Sequence, residues 1–321
     1  MKAIVQDTYG PPDVLRLADI DRPEAGPEDV LIRVHAAGVD PGVWHMTTGL
    51  PYLLRLGAGF RAPKTRVRAD IAGTVAAVGA AVTEFRPGDE VFGTVDGGFA
   101  EWARGRAASI AHKPAGLSFE QAATIPVSGC TALRGLRNHG RVQSGQQVLV
   151  IGAAGGVGSF AVQLAKAFGA EVTGVCSTSK VDLVRSLGAD DVVDYTHEDF
   201  ADRAHRFDLI LDTAGNRSVT HLRRALAPRG TLLIVGGEGG GRWFAGMDRA
   251  LRAHLLSLFV RQRLGTFIST ETTGDLVTLT ELIEAGKVTP VIDRTYPLRE
   301  VPEAIRYLHQ GHARGKIAIT V

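Results

Sequence analysis

The pattern most able to carry chemistry is a turn of small residues, Gly152-Ala153-Ala154-Gly155-Gly156-Val157-Gly158. It follows the apolar run Val148-Leu149-Val150-Ile151 and opens a segment with apolar residues at Val157, Ala161, Leu164, Ala165 and Phe168, on one helical face. Small residues let a diphosphate approach the backbone, and free N–H groups at a helix start satisfy its charge. The spacing is G-x-x-G-x-x-G with an extra glycine at 156, not the strict G-x-G-x-x-G. Glycine also serves ordinary tight turns, so context decides. This turn follows a strand, opens a helix and lies in a complete strand–helix–strand unit. It reads as a dinucleotide cradle built from Ala154, Gly155, Gly156 and Val157.

The next strand, Glu171 to Val175, runs into Cys176-Ser177-Thr178-Ser179-Lys180. A site for the unphosphorylated dinucleotide places a carboxylate there to hold the ribose 2′-hydroxyl. Here Cys176 or Ser177 fills that slot, and Lys180 follows closely. A carboxylate repels a 2′-phosphate, whereas hydroxyls and an ammonium accept it. Lys180 on a merely solvated helix start is the plainer alternative. The residues favour NADPH.

Positioning these groups requires an extended scaffold. The chain has 321 residues, enough for about two domains. Glycine supplies 39 of them, above the usual share of roughly 7%, which points to many tight turns. A net charge of +2 advertises neither nucleic acid nor an anionic membrane as partner. Two cysteines are too few for a disulfide scaffold or a four-cysteine zinc lobe. The N-terminus runs straight into a strand-like pattern without a signal-peptide core, and the apolar stretch around Ala253 to Val260 is too short to span a bilayer. A cytosolic protein is expected. Up to about Pro114, short strands such as Val30 to His35 and Ile71 to Val78 alternate with Gly/Pro turns, as in a barrel-like β domain. From about Ser118, apolar strands alternate with helices, as in a doubly wound α/β domain with a parallel sheet.

Gly38 to Gly49, the turn Ala69-Asp70-Ile71-Ala72-Gly73, Gly88-Asp89 with Val91-Phe92-Gly93, and Gly155-Gly156-Val157-Gly158 with Gln163-Leu164-Ala165-Lys166 occur in that order. Ser186 to Asp190 and the closing His312-Ala313-Arg314-Gly315-Lys316 extend the pattern. Over essentially its whole length the chain resembles the medium-chain dehydrogenase/reductase superfamily, in its zinc-independent quinone oxidoreductase branch. The resemblance implies a GroES-like catalytic domain over 1–118 and 289–321, and a Rossmann NADP-binding domain over 119–288. It also implies a homodimer joined through the Rossmann domains, which would cover the sheet edge near Leu232 to Val235 and the segment to Phe267.

The resemblance carries roles onto particular residues. Zinc-dependent members put a cysteine where Asp40 stands and a His-Glu pair near Asp70. Asp40, His45 and Asp70 would make an oxygen-rich set, whereas catalytic zinc is held by His and Cys, so no metal is expected. Quinone-reductase relatives carry Asn at Asp40, and the exchange retains an acceptor but loses the amide donor. Tyr52 lies one residue out of register with a proton-donating tyrosine of the enoyl-reductase branch; proton delivery falls to Tyr52 or to solvent. Trp44 and Phe60 are candidates for a substrate wall or for core packing. Thr131 resembles a hydroxyl facing the cofactor, Tyr195 a ring near the 2′-phosphate, and Asn216 a ribose-side neighbour. Gly236, Phe267 and Ile268 resemble the nicotinamide lining, and His312, Arg314 and Lys316 a closing cofactor contact.

The expected activity is hydride transfer from NADPH to a quinone or to the activated double bond of an enone. An enoyl-thioester reductase is one rival, with Arg55, Arg61, Lys64, Arg66 and Arg68 as a basic entrance. A silent NADPH-binding protein is the other.

Overall fold

The computed structural model describes residues 1–203, 206–236, 241, 243 and 247–321. They divide into two compact units, one of Met1–Cys130, Thr270–Gly286 and Pro290–Val321, the other of Thr131–Ser269 and Lys287–Thr289. The helices Phe119–Ala123 and Thr273–Glu284 therefore belong to the first unit.

The first unit is built on a seven-stranded sheet. Strand Asp29–Val39 is its centre and pairs antiparallel with Arg68–Val78, Trp102–Arg106 and the C-terminal strand Lys316–Thr320. Lys316–Thr320 pairs parallel with Ile292–Pro297 on its other side, and Arg68–Val78 leads through Glu90–Asp96 to Ile110–His112. Only the middle of the central strand alternates, with Arg33 exposed between buried Ile32 and Val34; residues 30–32 and 36–39 are buried consecutively, as where both faces of a sheet are covered. Ile32, Ile71, Phe99, Ile110, Ile317 and Ile319 form the core with Val301 and Ile305 of helix Val301–His309.

In the second unit the six strands are all parallel. From one edge to the other they run Asp191–Asp194, Glu171–Cys176, Gln147–Ile151, Phe207–Asp212, Leu226–Ile234 and Arg263–Thr266. Numbered by appearance, this is the 3-2-1-4-5-6 order of a Rossmann sheet, whose ligand site lies beyond the strand ends where the order reverses. Continuous apolar strands are needed because both faces are covered: Val148, Leu149, Val150 and Ile210 are fully buried. Leu149, Ile151, Ile210, Leu232 and Ile234 share one core with Leu222 and Ala253. The edge strand Arg263–Thr266 is shorter and more polar than a core strand, and the sequence pattern did not single it out.

Candidate active site

The order reverses between Gln147–Ile151 and Phe207–Asp212, and the glycine turn leaves the first of these strands. Helix Gly156–Ala167 starts directly from it, with Gly155 as an N-cap whose missing side chain leaves the first N–H groups open. A Cβ on Gly158 would fall 2.1 Å from the Gly152 carbonyl oxygen, so only glycine lets the helix start close on the turn. This geometry fits a diphosphate, with Ala154, Gly155, Gly156 and Val157 around it.

Ser177, Lys180 and Tyr195 come together at the neighbouring strand ends. Ser177 precedes the short turn Thr178–Lys180, the Lys180 N–H donates to the Ser177 carbonyl at 2.9 Å, and the Tyr195 N–H donates to the Cys176 carbonyl at 3.1 Å. The structure adds Asp194, paired with Cys176 across the strands, which sequence reasoning missed. Its Oδ1 accepts from the Thr196 N–H at 3.0 Å and hydroxyl at 2.7 Å. Hydrogen bonding from Thr178 and Thr196 holds this carboxyl below its ordinary range, and its acceptors serve its own turn. Thr131 is buried on helix Pro126–Arg134. Asn216 is exposed and Gly236 half-buried beyond strands Phe207–Asp212 and Leu226–Ile234. Phe267 stacks on His139 at 4.4 Å, and Ile268 is 91% exposed.

A second buried group orders the same strand ends. Asp212, at the end of its strand, accepts from Arg249 Nη2 at 2.7 Å and from the Gly215 N–H at 3.1 Å. Arg249 also donates to the Arg217 carbonyl at 2.8 Å. Burial pushes the Asp212 carboxyl up, and Arg249 opposes that shift. The pair ties the turn after Asp212 to helix Met247–Ser257. A charged residue closing the apolar run Leu209-Ile210-Leu211 was a visible signal; its partner, far along the chain, was not.

In the first unit, Asp40 is 6% exposed and caps helix Pro41–Thr48, its Oδ1 accepting the Gly42 N–H at 2.7 Å. Asn and Asp serve equally as N-caps, which gives the exchange at this position a structural basis. Trp44 stacks on His309 at 3.6 Å, Tyr52 is half-buried with the Arg55 guanidinium 4.9 Å over its ring, and Phe60 is 76% exposed. His45 Nδ1 lies 2.8 Å from the Leu50 carbonyl oxygen. Of the expected basic entrance, Arg55 donates to the Gly49 carbonyl and Arg68 pairs with Glu271 at 2.8 Å, while Arg61 and Lys64 are exposed. His312 and Arg314 are exposed, but Lys316, expected beside them at the cofactor, is only 2% exposed. Arg314 precedes the strand Lys316–Thr320 and is separated from it by Gly315 with its positive φ of 96°, whereas Lys316 opens the strand and is enclosed with it. Among the described residues no three His, Cys, Asp or Glu side chains converge as a metal-binding set.

Asp70 is fully buried and accepts from the Thr94 hydroxyl at 2.8 Å and the Val127 N–H at 3.0 Å. Burial pushes its carboxyl up to about 7; Asp40 adds to the shift, while Lys316 and the two hydrogen bonds oppose it.

An alcohol dehydrogenase GroES-like domain family matches residues 26–134, and a zinc-binding dehydrogenase family matches residues 187–319. The chain is 35% identical to the mouse (Mus musculus) NAD(P)H oxidoreductase RTN4IP1, mitochondrial, over 100% of its own length and 89% of that protein's. It is 34% identical to the Arabidopsis thaliana NADPH-dependent alkenal/one oxidoreductase, chloroplastic, covering 99% of this chain and 79% of that one. The quinone oxidoreductase structure from Coxiella burnetii superposes with a TM-score of 0.87 at 30% identity, covering 100% and 99% of the two chains. The chain belongs to the medium-chain dehydrogenase/reductase superfamily, among relatives of the quinone oxidoreductases. It is an oxidoreductase of that family, with a GroES-like domain and a Rossmann-like parallel sheet. Among the described residues no helix is long and apolar enough to cross a membrane.

The raised Asp70 fixes a pH effect on stability. An unfolded aspartate titrates near 3.9, so between about pH 4 and about pH 7 the native state holds a proton that the unfolded chain has released. Asp70 therefore costs stability increasingly as pH rises through that window, and the cost levels off above about 7. Urea midpoints should fall less between about pH 5 and about pH 8 in Asp70→Asn than in the wild type. Equal falls would contradict this account of Asp70.

Proposed function

We propose that this protein is an NADPH-dependent reductase that delivers hydride, without zinc, to a quinone or to the activated double bond of an enone. The observation that carries the reading is the open glycine turn at the reversal point of the Rossmann sheet, with Ser177, Lys180 and Tyr195 at the adjoining strand ends. Relatives described as a quinone oxidoreductase and an NADPH-dependent alkenal/one oxidoreductase support the substrate class. Ala154 to Val157 would hold the diphosphate, and Ser177, Lys180 and Tyr195 the 2′-phosphate. Thr131, Asn216, Gly236, Phe267 and Ile268 would line the ribose and nicotinamide, and the family resemblance assigns His312 and Arg314 to the cofactor as well. When bound, the nicotinamide supplies the hydride. Trp44 and Phe60 offer apolar surface to the substrate, and Asp40 and Tyr52 are the polar groups assigned to its reacting oxygen. Independence from zinc is supported by the work these carboxylates already do: Asp40 caps a helix, and both Asp70 oxygens accept protein donors.

NADPH should be consumed with a panel of quinones and enones, at a rate unchanged by a strong chelator. No turnover with any of them would favour a silent NADPH-binding protein, and turnover restricted to thioesters would favour the enoyl-thioester reading. A rate abolished by the chelator and restored by zinc would overturn metal independence.

The 2′-phosphate assignment makes a separate prediction. A hydrogen bond to a charged group contributes about 1.5–3 kcal/mol, or roughly ten- to a hundredfold in affinity. Lys180→Ala should raise the KM for NADPH by that factor and leave NADH nearly untouched, with part of the effect fading at high salt. Equal weakening toward both cofactors would remove Lys180 from the phosphate pocket.

We also infer a homodimer through the second unit. Strand Arg263–Thr266 has no partner on its outer side among the described strands. Leu251, Leu255, Leu258 and Phe259 are 62%, 53%, 77% and 84% exposed, an apolar stripe that a protein ordinarily covers. Light scattering should give roughly twice 34.1 kDa; a mass matching one chain would contradict the dimer. Cys130 and Cys176 are buried thiols outside any disulfide, which supports a reducing compartment, and the cytosol is our reading of it.

A further inference from the structure

Three buried charged residues of the first unit lie on neighbouring strands. Asp70 stands opposite Gly38 in the register of Arg68–Val78 with Asp29–Val39. Ile317 stands opposite Val39, which brings Lys316 level with Asp40, one residue beyond. Asp70, Lys316 and Asp40 are 0%, 2% and 6% exposed. A Cβ on Gly38 would fall 2.3 Å from the Ala123 carbonyl oxygen and 3.3 Å from the Asp70 Cβ. Glycine there lets the 123–127 backbone close over the strand, where the Val127 N–H reaches Asp70.

The hydrogen bonding of the three residues is uneven. Both Asp70 oxygens accept donors, and one Asp40 oxygen accepts the Gly42 N–H. The Lys316 Nζ is enclosed and makes no hydrogen bond. Enclosing an ammonium without a hydrogen bond is costly, so the compensation must come through the field of nearby carboxylates. The charged groups that Asp70 feels are Lys316, from the C-terminal strand, and Asp40, from the end of the central strand; Thr94 and Val127 bring neutral donors. Such a lysine is misplaced as a cofactor contact but well placed as an internal counter-charge.

We propose, resting on the reading of Asp40 as a group at the reacting oxygen, that Lys316 and Asp70 are positioning residues. Lys316 is the shared counter-charge of the two carboxylates, and the protonation state of Asp70 sets the charge presented to the substrate at Asp40. Hydride addition leaves negative charge on the substrate oxygen, which a proton then neutralises. With Asp70 protonated, the Lys316 ammonium balances Asp40 and the cluster is neutral. When Asp70 releases its proton to solvent, the cluster becomes negative and opposes the developing oxyanion. No bond other than the Asp70 O–H changes in this step, and no electron moves.

The test pairs kinetics with a spectroscopic titration of the full chain. At saturating NADPH and quinone, kcat should fall about tenfold as pH rises through about 7, the factor carried by one pKa unit of coupling. Asp70→Asn should abolish that fall, and Lys316→Met should move its midpoint up by at least about one pH unit. Lys316→Arg should keep the wild-type midpoint, and none of these variants should change the KM for NADPH. In the protein without substrate, infrared spectroscopy should show a carboxylic-acid carbonyl band that titrates with the same midpoint. That band should be absent in Asp70→Asn and shifted upward in Lys316→Met. A missing band, or a midpoint unmoved in Lys316→Met, overturns the cluster. If Lys316→Met does not fold, a titrating band that persists in Asp70→Asn overturns it equally. A band that titrates as expected beside a kcat that ignores pH overturns the link to Asp40, and a raised KM for NADPH in Lys316→Met returns the lysine to the cofactor. Failure of the reductase reading itself would appear separately, as wild-type protein that consumes no NADPH.

Discussion

The second unit depends on one close approach, that of Gly158 to the carbonyl of Gly152. Any side chain at 158 would push helix Gly156–Ala167 away from the strand it follows. The helix would then no longer aim its first N–H groups across the turn. Because Gln147–Ile151 is the strand from which the sheet grows in both directions, the same contact places the turn at the reversal point. Open donors at a helix start cost little when they face a diphosphate or water, and that tolerance is what the turn exploits.

Around this constraint, the molecule buries charge in two places and treats each differently. In the second unit Asp212 is matched by a guanidinium that donates to it directly, and Arg249 Nη1 and Nη2 also reach the Arg217 and Gly236 carbonyls, while its Nε makes no hydrogen bond. Such a pair is a weak source of net stability, but losing one partner strands the other. It acts as a fastener between two segments at the strand ends. In the first unit the balance is looser: two carboxylates and one lysine share an enclosed space without a direct contact between lysine and acid. Loose compensation leaves Asp70 near the edge of ionisation, where a small change in field alters its state.

Much of the molecule could be read from contiguous residues. The apolar runs Val148 to Ile151 and Leu209 to Leu211 are buried parallel strands, and the glycine turn between strand and helix is where its pattern placed it. The order of short motifs along the chain matched the superfamily to which the chain belongs. Other features were not legible. Arg263–Thr266 forms a strand although Arg263 and Thr266 are exposed and only Leu264 is deeply buried, because pairing with Leu226–Ile234 outweighs weak local preference. Asp40 was visible as a departure from asparagine, but its capping of helix Pro41–Thr48 depended on a backbone geometry that the sequence does not display.

By itself the sequence determined the fold class, the dinucleotide turn and the family, since each is written in local spacing: the period of the apolar residues, the small residues of the turn, and the order of short motifs. Tertiary structure alone decided which charges meet. Asp212 finds Arg249, and Asp70 shares its interior with Lys316 from the far end of the chain, through strand register and helix placement. It also enclosed Lys316, expected at the cofactor, because Lys316 opens a strand paired on both sides, with Asp29–Val39 and with Ile292–Pro297, and that placement depends on segments distant in sequence.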